Sequence, residues 1–152
     1  MGNFFNQDFQ EFIVALNEKD VEYILVGGYA VILHGYHRTT GDLDIWINPT
    51  RENYQKMKSA FYAFGLPINA IAIKDFLNTA SFEVFTFGRP PVSIDIMTHV
   101  KGLTFGKAFE SSIINETQGF KIRLIGYQDL IEAKKSSRRY RDLNDIENLE
   151  QE

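Results

Sequence analysis

Apolar and polar residues follow two different periods along this chain, and each period predicts one kind of element. Apolar residues spaced three and four apart predict helices, because such positions share one helical face. In the first stretch of this kind they are Phe9, Phe12, Ile13 and Leu16. The same spacing, read with glycines and prolines as stops, predicts helices over residues 8–17, 29–36, 51–64, 103–109, 126–135 and 140–149, and a helical turn over 74–78. We expect Asp8 and Thr50 to cap two of these helices.

Short apolar or alternating runs between these stretches predict strands. They cover residues 21–26, 42–47, 82–87, 92–97, 113–117 and 120–124, with a turn over 88–91 and a hairpin through Gln118-Gly119. Helices and strands follow one another without a linker, which predicts a single α/β domain of the α+β type over residues 1–152. We place its core at about residues 21–125 and a C-terminal helical segment at about 126–152, broken over residues 136–139.

The composition narrows the class of protein. A chain of 152 residues, 44% hydrophobic and 24% charged, is typical of one water-soluble domain. It has no cysteine, which excludes disulfides and thiolate metal sites. No apolar run approaches the roughly 20 residues of a membrane span, and we see no secretory signal. These features favour a cytoplasmic protein without a membrane partner. A net charge of −4 argues against a general binder of nucleic acids.

The candidate chemistry lies where an apolar strand meets Gly27-Gly28 and a second strand begins with two acids. Side chains alternate along a strand, so Asp42 and Asp44 share one face, with Cα atoms roughly 6–7 Å apart. Asp95 stands in the middle of a third, apolar strand, where an unpaired carboxylate is costly. If these strands are neighbours, three carboxylates converge and raise one another's pKa unless a cation lies between them. Magnesium is such a cation, because it prefers hard oxygen ligands and phosphate.

The residues around the acids suit a nucleoside triphosphate. Glycines at positions 27 and 28 let the backbone approach a phosphate, and the helix that follows offers free amides. Arg38 can neutralise phosphate charge, and Thr39 and Thr40 can donate hydrogen bonds. Trp46 lies on the carboxylate face and could border a base. Near the C-terminus five basic residues fall within eight positions: Lys134, Lys135, Arg138, Arg139 and Arg141. This basic run could contact a phosphate-bearing substrate.

Taken together, these residues resemble the signature of the DNA polymerase beta-like nucleotidyltransferase superfamily, and small bacterial members in particular, including the toxins of abortive-infection systems. The matching stretches are Gly27-Gly28-Tyr29-Ala30-Val31, His34-Gly35, Arg38-Thr39-Thr40 and Asp42-Leu43-Asp44-Ile45-Trp46, with Asp95 as the third acid. The C-terminal residues Lys134, Arg139-Tyr140-Arg141-Asp142 and Asp145 resemble a basic-then-acidic motif of that group. Many members carry serine where this chain has Gly28.

The resemblance implies the minimal nucleotidyltransferase fold, a mixed sheet flanked by helices with further helices at the C-terminus. It also implies magnesium-dependent transfer of a nucleoside monophosphate from a nucleoside triphosphate to a hydroxyl of an RNA, a protein or a small molecule. Asp42, Asp44 and Asp95 would be catalytic and would hold two Mg²⁺ ions, or Mn²⁺ in their place. Gly27, Gly28 and four further residues would bind the nucleotide; these four are Arg38, Thr39, Thr40 and Lys134.

Several alternatives stay open at this point. The two acids of the second strand could mark a solvated strand edge, and Asp95 could have Arg38 or Arg89 as a structural partner. The basic run could be a solvated helix end. At the level of function, the alternatives are a non-catalytic binding module that forms one half of a toxin–antitoxin pair with a protein from a neighbouring gene, and an acidic metal-binding interaction domain.

Overall fold

The computed structural model describes residues 6–36, 38–80, 84–89, 92–137 and 140–150. The helices are α1 Gln7–Glu18, α2 Gly27–Leu33, α3 Arg51–Phe64, α4 Ile73–Leu77, α5 Phe105–Ser111, α6 Tyr127–Ser137 and α7 Tyr140–Glu150. The strands are β1 Tyr23–Val26, β2 Asp42–Ile47, β3 Val84–Arg89, β4 Val92–Met97, β5 Ile113–Thr117 and β6 Phe120–Leu124. None of the helices in these ranges is long and apolar enough to cross a membrane.

All six strands form one mixed sheet in the order β3-β4-β2-β1-β6-β5. The pairs β2–β4 and β1–β6 are parallel, and the other neighbouring pairs are antiparallel. The predicted hairpin of β5 and β6 is confirmed. The mixed sheet with flanking helices also confirms the predicted α/β fold class. In this order the two strands that carry the candidate site acids, β2 and β4, are direct neighbours near the middle of the sheet.

Helices cover both faces of the sheet. On one face Phe61 of α3 packs edge-on against Phe87 of β3, and α3 also contacts α1 through Phe12. On the opposite face Trp46 packs edge-on against Phe105 of α5. The predicted core residues of β2, Leu43, Ile45 and Ile47, are fully buried. Burying a large apolar side chain contributes about 1.5–3 kcal/mol, so this core stabilises the central strands that carry the acids.

The bounds of β2, β4, β5 and β6 match the prediction, and Thr50 caps α3 by accepting from the Asn53 amide at 3.1 Å. The expectation for Asp8 is wrong, because Asn6 caps α1 and accepts from the Phe9 amide at 2.9 Å. Asp8 instead lies in the first turn of that helix, where its charge still suits the free amides.

Other predicted bounds differ by a few residues. Strand β1 begins at Tyr23 instead of position 21, and α2 begins at Gly27 instead of Tyr29. Helix α6 continues through Ser136, where a break was expected, and α5 runs from Phe105 to Ser111. Strand β3 includes two residues of the predicted turn, Gly88 and Arg89, because each pairs with β4. The remaining turn positions 90–91, the strand positions 82–83 and the positions 138–139 of the basic run lie outside the described residues.

Candidate active site

The register of β2 and β4 brings the predicted acids together. Asp44 is the direct cross-strand partner of Asp95, and Asp42 is the partner of Ser93. Neighbouring strands lie about 4.8 Å apart, and partners in register point to the same face. Val26, the last residue of β1, is in turn the partner of Asp44. The two acid-bearing strands and the glycine turn therefore meet at one place on the sheet.

Two hydroxyl groups that the sequence reasoning did not select hold the outer acids. Ser93 Oγ donates to Asp42 Oδ1 at 2.5 Å, and Thr86 Oγ1 donates to Asp95 Oδ1 at 2.7 Å. Of the two structural partners considered for Asp95, Arg38 lies against Asp145, and the side chain of Arg89 lies outside the described part of the chain. Thr86 is the observed partner of Asp95. The alternation of β4 places Ser93 on the face of Asp95 and could have indicated it, but Thr86 follows only from the register between β3 and β4.

Asp44 is the most perturbed carboxyl group in this cluster. Burial raises its pKa from 3.8 to about 7, with further increases from the charge and hydrogen bond of Asp95 and the charge of Asp42. The cation of Lys134 acts in the opposite direction and is too weak to offset them. The charges of Asp95 and Asp42 thus disfavour the ionised form of Asp44, as expected for a carboxyl group that shares a site with other acids without a cation.

Gly27 lies directly against the acids. Its φ is +73°, which an L side chain rarely adopts, and a Cβ at this position would collide with the Asp44 carboxylate. The turn between β1 and α2 can therefore approach the acids only with glycine here. The predicted use of Gly27 as a backbone contact close to a phosphate stays a prediction.

Gly28 has a different neighbour. A Cβ at this position would collide with the Thr40 hydroxyl and lie 3.1 Å from Arg38 Nη2. The space that a side chain at position 28 would fill is thus taken by Thr40, and Arg38 and Thr40 converge over the glycine turn. This arrangement gives a structural reason for glycine where a serine occurs in the resembling proteins.

Substituting Gly28→Ser is expected to destabilise the fold by about 1–3 kcal/mol, as overpacking does. The second substitution Thr40→Gly removes the collision and is expected to restore most of this loss. Gly106→Ser is a matched control, because Gly106 is also the second residue of its helix and has open space around it. Urea unfolding of the variants measures the effect. Equal losses for Gly28→Ser with and without Thr40→Gly would show that the collision is not the cause.

Two of the predicted nucleotide-binding residues belong to a buried ion-pair network. Arg38 Nε lies 3.2 Å from Asp145 Oδ1, and Lys134 Nζ lies 2.9 Å from Asp142 Oδ1 and 3.1 Å from Asp145 Oδ2. Asp142 Oδ2 also accepts from Ser137. Asp142 and Asp145 are 1% and 0% exposed, so the network is shielded from water. It joins α6 and α7 to the loop before β2.

The acids open into a cavity of about 320 Å³ beneath α6. Gly27, Asp42, Asp44 and Asp95 line it together with Lys101 and Lys134. Apolar side chains complete the wall, among them Val84, Met97, Val100 and Leu130. Lys101 was not predicted as a site residue, because it belongs to no motif. It reaches the cavity because the loop that contains it follows β4. A wider, open groove of about 910 Å³ between α1 and α3 contains none of the predicted site residues.

The other predicted residues lie at the edge of this site or away from it. Thr39 is exposed, and its carbonyl accepts from Arg38 Nη1 at 3.2 Å. Trp46 is 1% exposed beneath Phe105 and does not line the cavity, so it is a core residue instead of a border for a base. Lys135 is exposed, whereas its neighbour Lys134 is buried in the ion-pair network. The two lysines of the basic run therefore have different surroundings.

The donor set suits a hard divalent cation, although its side chains are not yet arranged around one. Oxygen atoms are the ligands that Mg²⁺ prefers, and three carboxylates converge here. Within the described ranges, no group of three or more His, Asp or Glu side chains already has the geometry of a metal site. Asp44 and Asp95 instead lie side by side as cross-strand partners, and Asp95 contributes to the raised pKa of Asp44. A bound cation would offset this repulsion between the carboxylates.

Comparison with known proteins identifies the family. Residues 5–150 match the family described as "Nucleotidyltransferase of unknown function (DUF6036)". The chain belongs to this nucleotidyltransferase family. It is therefore a transferase enzyme, and the predicted resemblance is confirmed. No curated protein matches the chain.

Two solved structures share the fold of this nucleotidyltransferase. One is TM1012 of Thermotoga maritima, a protein assigned to the nucleotidyltransferases, with 15% identity, a TM-score of 0.56, and coverage of 94% of this chain and 86% of that chain. The other is LnuA, a lincosamide antibiotic adenylyltransferase with lincomycin bound, with 15% identity, a TM-score of 0.57, and coverage of 98% of both chains. Because the identity to both structures is only 15%, these likenesses show a shared fold alone.

Proposed function

We propose that this enzyme transfers a nucleoside monophosphate from a nucleoside triphosphate to a hydroxyl group, with Mg²⁺ as cofactor and Mn²⁺ able to replace it. The observation that carries the proposal is the direct pairing of Asp44 with Asp95 beside the glycine turn, with the pKa of Asp44 raised to about 7. Placing two carboxylates side by side destabilises the fold, and such unfavourable pairs are typical of functional sites. Binding of a cation between them would explain the arrangement.

Asp42, Asp44 and Asp95 would hold the metal, as two ions in the arrangement that the family resemblance implies. Bound Mg²⁺ neutralises the charge of the phosphates and of the attacking oxygen. The acceptor oxygen forms a bond to the α-phosphorus, the bond from that phosphorus to the bridging oxygen breaks, and pyrophosphate leaves. Asp95 accepts the proton of the acceptor hydroxyl, while Thr86 keeps one of its oxygens in place.

The triphosphate would lie along the turn at Gly27 and Gly28. Arg38 and Thr40 converge over this turn and can contact phosphate oxygens. Lys134 lines the same cavity as the acids, although Asp142 and Asp145 already hold its ammonium group. In this proposal the charge of Lys134 offsets the charges of the carboxylates, and its ammonium group contacts a phosphate when the nucleotide binds. Thr39 lies at the exposed edge of the nucleotide site.

The acceptor is a hydroxyl on an RNA, a protein or a small molecule. A cavity of about 320 Å³ cannot enclose a nucleoside triphosphate together with a large acceptor. The acceptor hydroxyl would therefore enter from the open side of the site. The exposed side chains that line the site include Val84 and Lys101.

A transfer assay tests the proposal. Each of the four nucleoside triphosphates, labelled on the α-phosphate, is incubated with Mg²⁺ and with total RNA, protein extract or aminoglycoside- and lincosamide-type alcohols. Label should appear in one acceptor class, and EDTA should prevent it. Calorimetry with a non-hydrolysable triphosphate analogue and Mg²⁺ measures binding separately. Absence of both transfer and metal-dependent binding would reject the proposal.

The same two measurements identify the alternative of a binding module in a toxin–antitoxin pair. Such a module would bind triphosphate without turnover and would form a stable complex with the product of a neighbouring gene. Co-expression with that product, followed by size-exclusion chromatography, tests the second condition. Binding of Mg²⁺ that added triphosphate does not change would instead indicate the acidic interaction domain.

A further inference from the structure

The outer acids of the site are held by hydroxyl groups from neighbouring strands, and these contacts follow the register of the sheet. Ser93 is the direct partner of Asp42 across the parallel pair β2–β4, and Thr86 is the partner of Asp95 across the antiparallel pair β3–β4. Each hydroxyl donates to the Oδ1 atom of its partner. Each contact therefore joins an acid to a hydroxyl that the sheet itself places beside it.

We propose that Ser93 is a positioning residue for the metal site, whose hydroxyl fixes the orientation of the Asp42 carboxylate before a cation binds. This inference rests on the proposed function, because it concerns the carboxylates that would hold Mg²⁺. An aspartate side chain rotates freely about its last torsion unless a partner restrains it. With Oδ1 held by Ser93, the carboxylate of Asp42 keeps one orientation at the wall of the cavity that it lines.

The two hydroxyl groups differ in burial, and removal of the buried Ser93 hydroxyl should have the larger effect on metal binding. Ser93 is 3% exposed, so no solvent water can replace its hydrogen bond when the hydroxyl is removed. Thr86 is exposed on the edge strand β3, where a water molecule can take its place beside Asp95. Outer hydrogen-bond partners of metal ligands typically change metal affinity by about 10- to 100-fold. The buried hydroxyl should account for most of such an effect here.

Binding of Mn²⁺ without nucleotide tests this inference by a readout that does not depend on activity. The free ion is counted by electron paramagnetic resonance during a titration of the full chain with MnCl₂. Ser93→Ala is expected to weaken Mn²⁺ binding at least about tenfold. Ser93→Thr, which keeps the hydroxyl, should stay within about threefold of the original protein. Thr86→Val should lose less affinity than Ser93→Ala, because water can take the place of the exposed Thr86 hydroxyl.

A double-mutant cycle distinguishes positioning through Asp42 from a general effect on the fold. In an Asp42→Asn background, Ser93→Ala should change Mn²⁺ affinity by less than about twofold, because the carboxylate that it positions is gone. Circular dichroism shows which variants fold. Ser93→Cys preserves the volume and offers only a weak thiol donor, so it repeats the comparison if Ser93→Ala does not unfold cooperatively.

The outcomes separate this inference from the proposed function. Equal Mn²⁺ affinity for the original protein and Ser93→Ala would overturn the role of Ser93 while leaving the metal site intact. A tenfold loss that persists in the Asp42→Asn background would also overturn it, since the effect would not pass through Asp42. Absence of Mn²⁺ binding by the original protein would overturn both the inference and the proposed metal dependence.

Discussion

Replacing Asp44 by Asn is expected to abolish nucleotidyl transfer and, at the same time, to stabilise the protein when no metal is present. Asp44 is the cross-strand partner of Asp95, and burial together with the charges of Asp95 and Asp42 raises its pKa to about 7. Without the charge of Asp44, the transition state loses several kcal/mol of metal-dependent stabilisation. Such a loss corresponds to a rate that is at least about a thousandfold lower. Asn keeps the shape and can still donate to Asp95, so the fold should persist.

The effect on stability depends on pH, and its sign follows from the raised pKa. Between pH 3.8 and about 7 the folded protein keeps a proton on Asp44 that the unfolded chain has lost. The free energy of unfolding therefore falls as the pH rises through this window, and the full cost is present above about pH 7. Because Asn carries no charge, Asp44→Asn should gain stability relative to the original protein above pH 7, by at most about 4 kcal/mol, and nothing near pH 4.

Thermal unfolding in EDTA at pH 4, 6 and 8 measures this difference. A gain of several degrees at pH 8 is expected, since 1 kcal/mol corresponds to about 2–4 °C in a chain of this size. Asp8→Asn is the control, because Asp8 is exposed on α1 and does not line the cavity that contains Asp44. Mg²⁺ should reduce or reverse the advantage of Asp44→Asn. A loss of stability at pH 8, or transfer activity that survives the substitution, would contradict the assignment of Asp44.

The features that the sequence could predict are those that depend on local spacing. Alternation within β2 placed Asp42 and Asp44 on one face and three apolar residues in the core, and both strands with acids have the predicted bounds. An isolated acid in the apolar strand β4 indicated Asp95 because burial without a partner is costly. These inferences use only residues a few positions apart.

The features that it could not predict depend on which elements become neighbours. The partner of Asp95 is Thr86, a residue of the adjacent hairpin strand, whereas Arg38 turns to Asp145 near the other end of the chain. Helix α2 begins at two glycines, which are poor helix formers, because the turn must approach Asp44. Sheet register and packing thus decided the details that propensities left open.

The exchange of a serine for Gly28 has a physical explanation in the same terms. A single sequence shows that a side chain is missing at this position, but it does not show what fills the space. The Thr40 hydroxyl occupies it, and Arg38 lies beside that hydroxyl. The missing side chain is therefore no evidence against phosphate binding, because another hydroxyl reaches the same turn.

Replacing Asp145 by Ala is expected to be the most destabilising single change near the site. Asp145 is fully buried and lies within 3.2 Å of Arg38 Nε and 3.1 Å of Lys134 Nζ. Its removal leaves the Arg38 cation without that carboxylate and Lys134 with Asp142 alone. Breaking a buried ion pair in this way costs about 3–5 kcal/mol, because a desolvated charge loses its partner.

Urea unfolding at pH 7 measures the loss, with Glu52→Ala as a matched control. Glu52 also forms an ion pair, with Lys56 at 3.8 Å, but its side chain is 85% exposed. Exposed pairs of this kind contribute at most about 1 kcal/mol. Asp145→Asn keeps the volume and an acceptor oxygen, so it should lose less than Asp145→Ala. Equal losses for Asp145→Ala and Glu52→Ala would show that the buried network does not hold α7 against the site.

The same substitution connects the stability of the fold to the binding of nucleotide. Asp145 holds Arg38, which converges with Thr40 over the glycine turn, and it also holds Lys134, which lines the cavity of the acids. In Asp145→Asn, which should remain folded, both cations are less well positioned. We therefore expect weaker binding of triphosphate with a smaller change in the rate at saturating triphosphate, and a KM that rises more than kcat falls. Because Asp145 of α7 holds these two cations, this ratio tests whether the C-terminal helices serve nucleotide binding or only the fold.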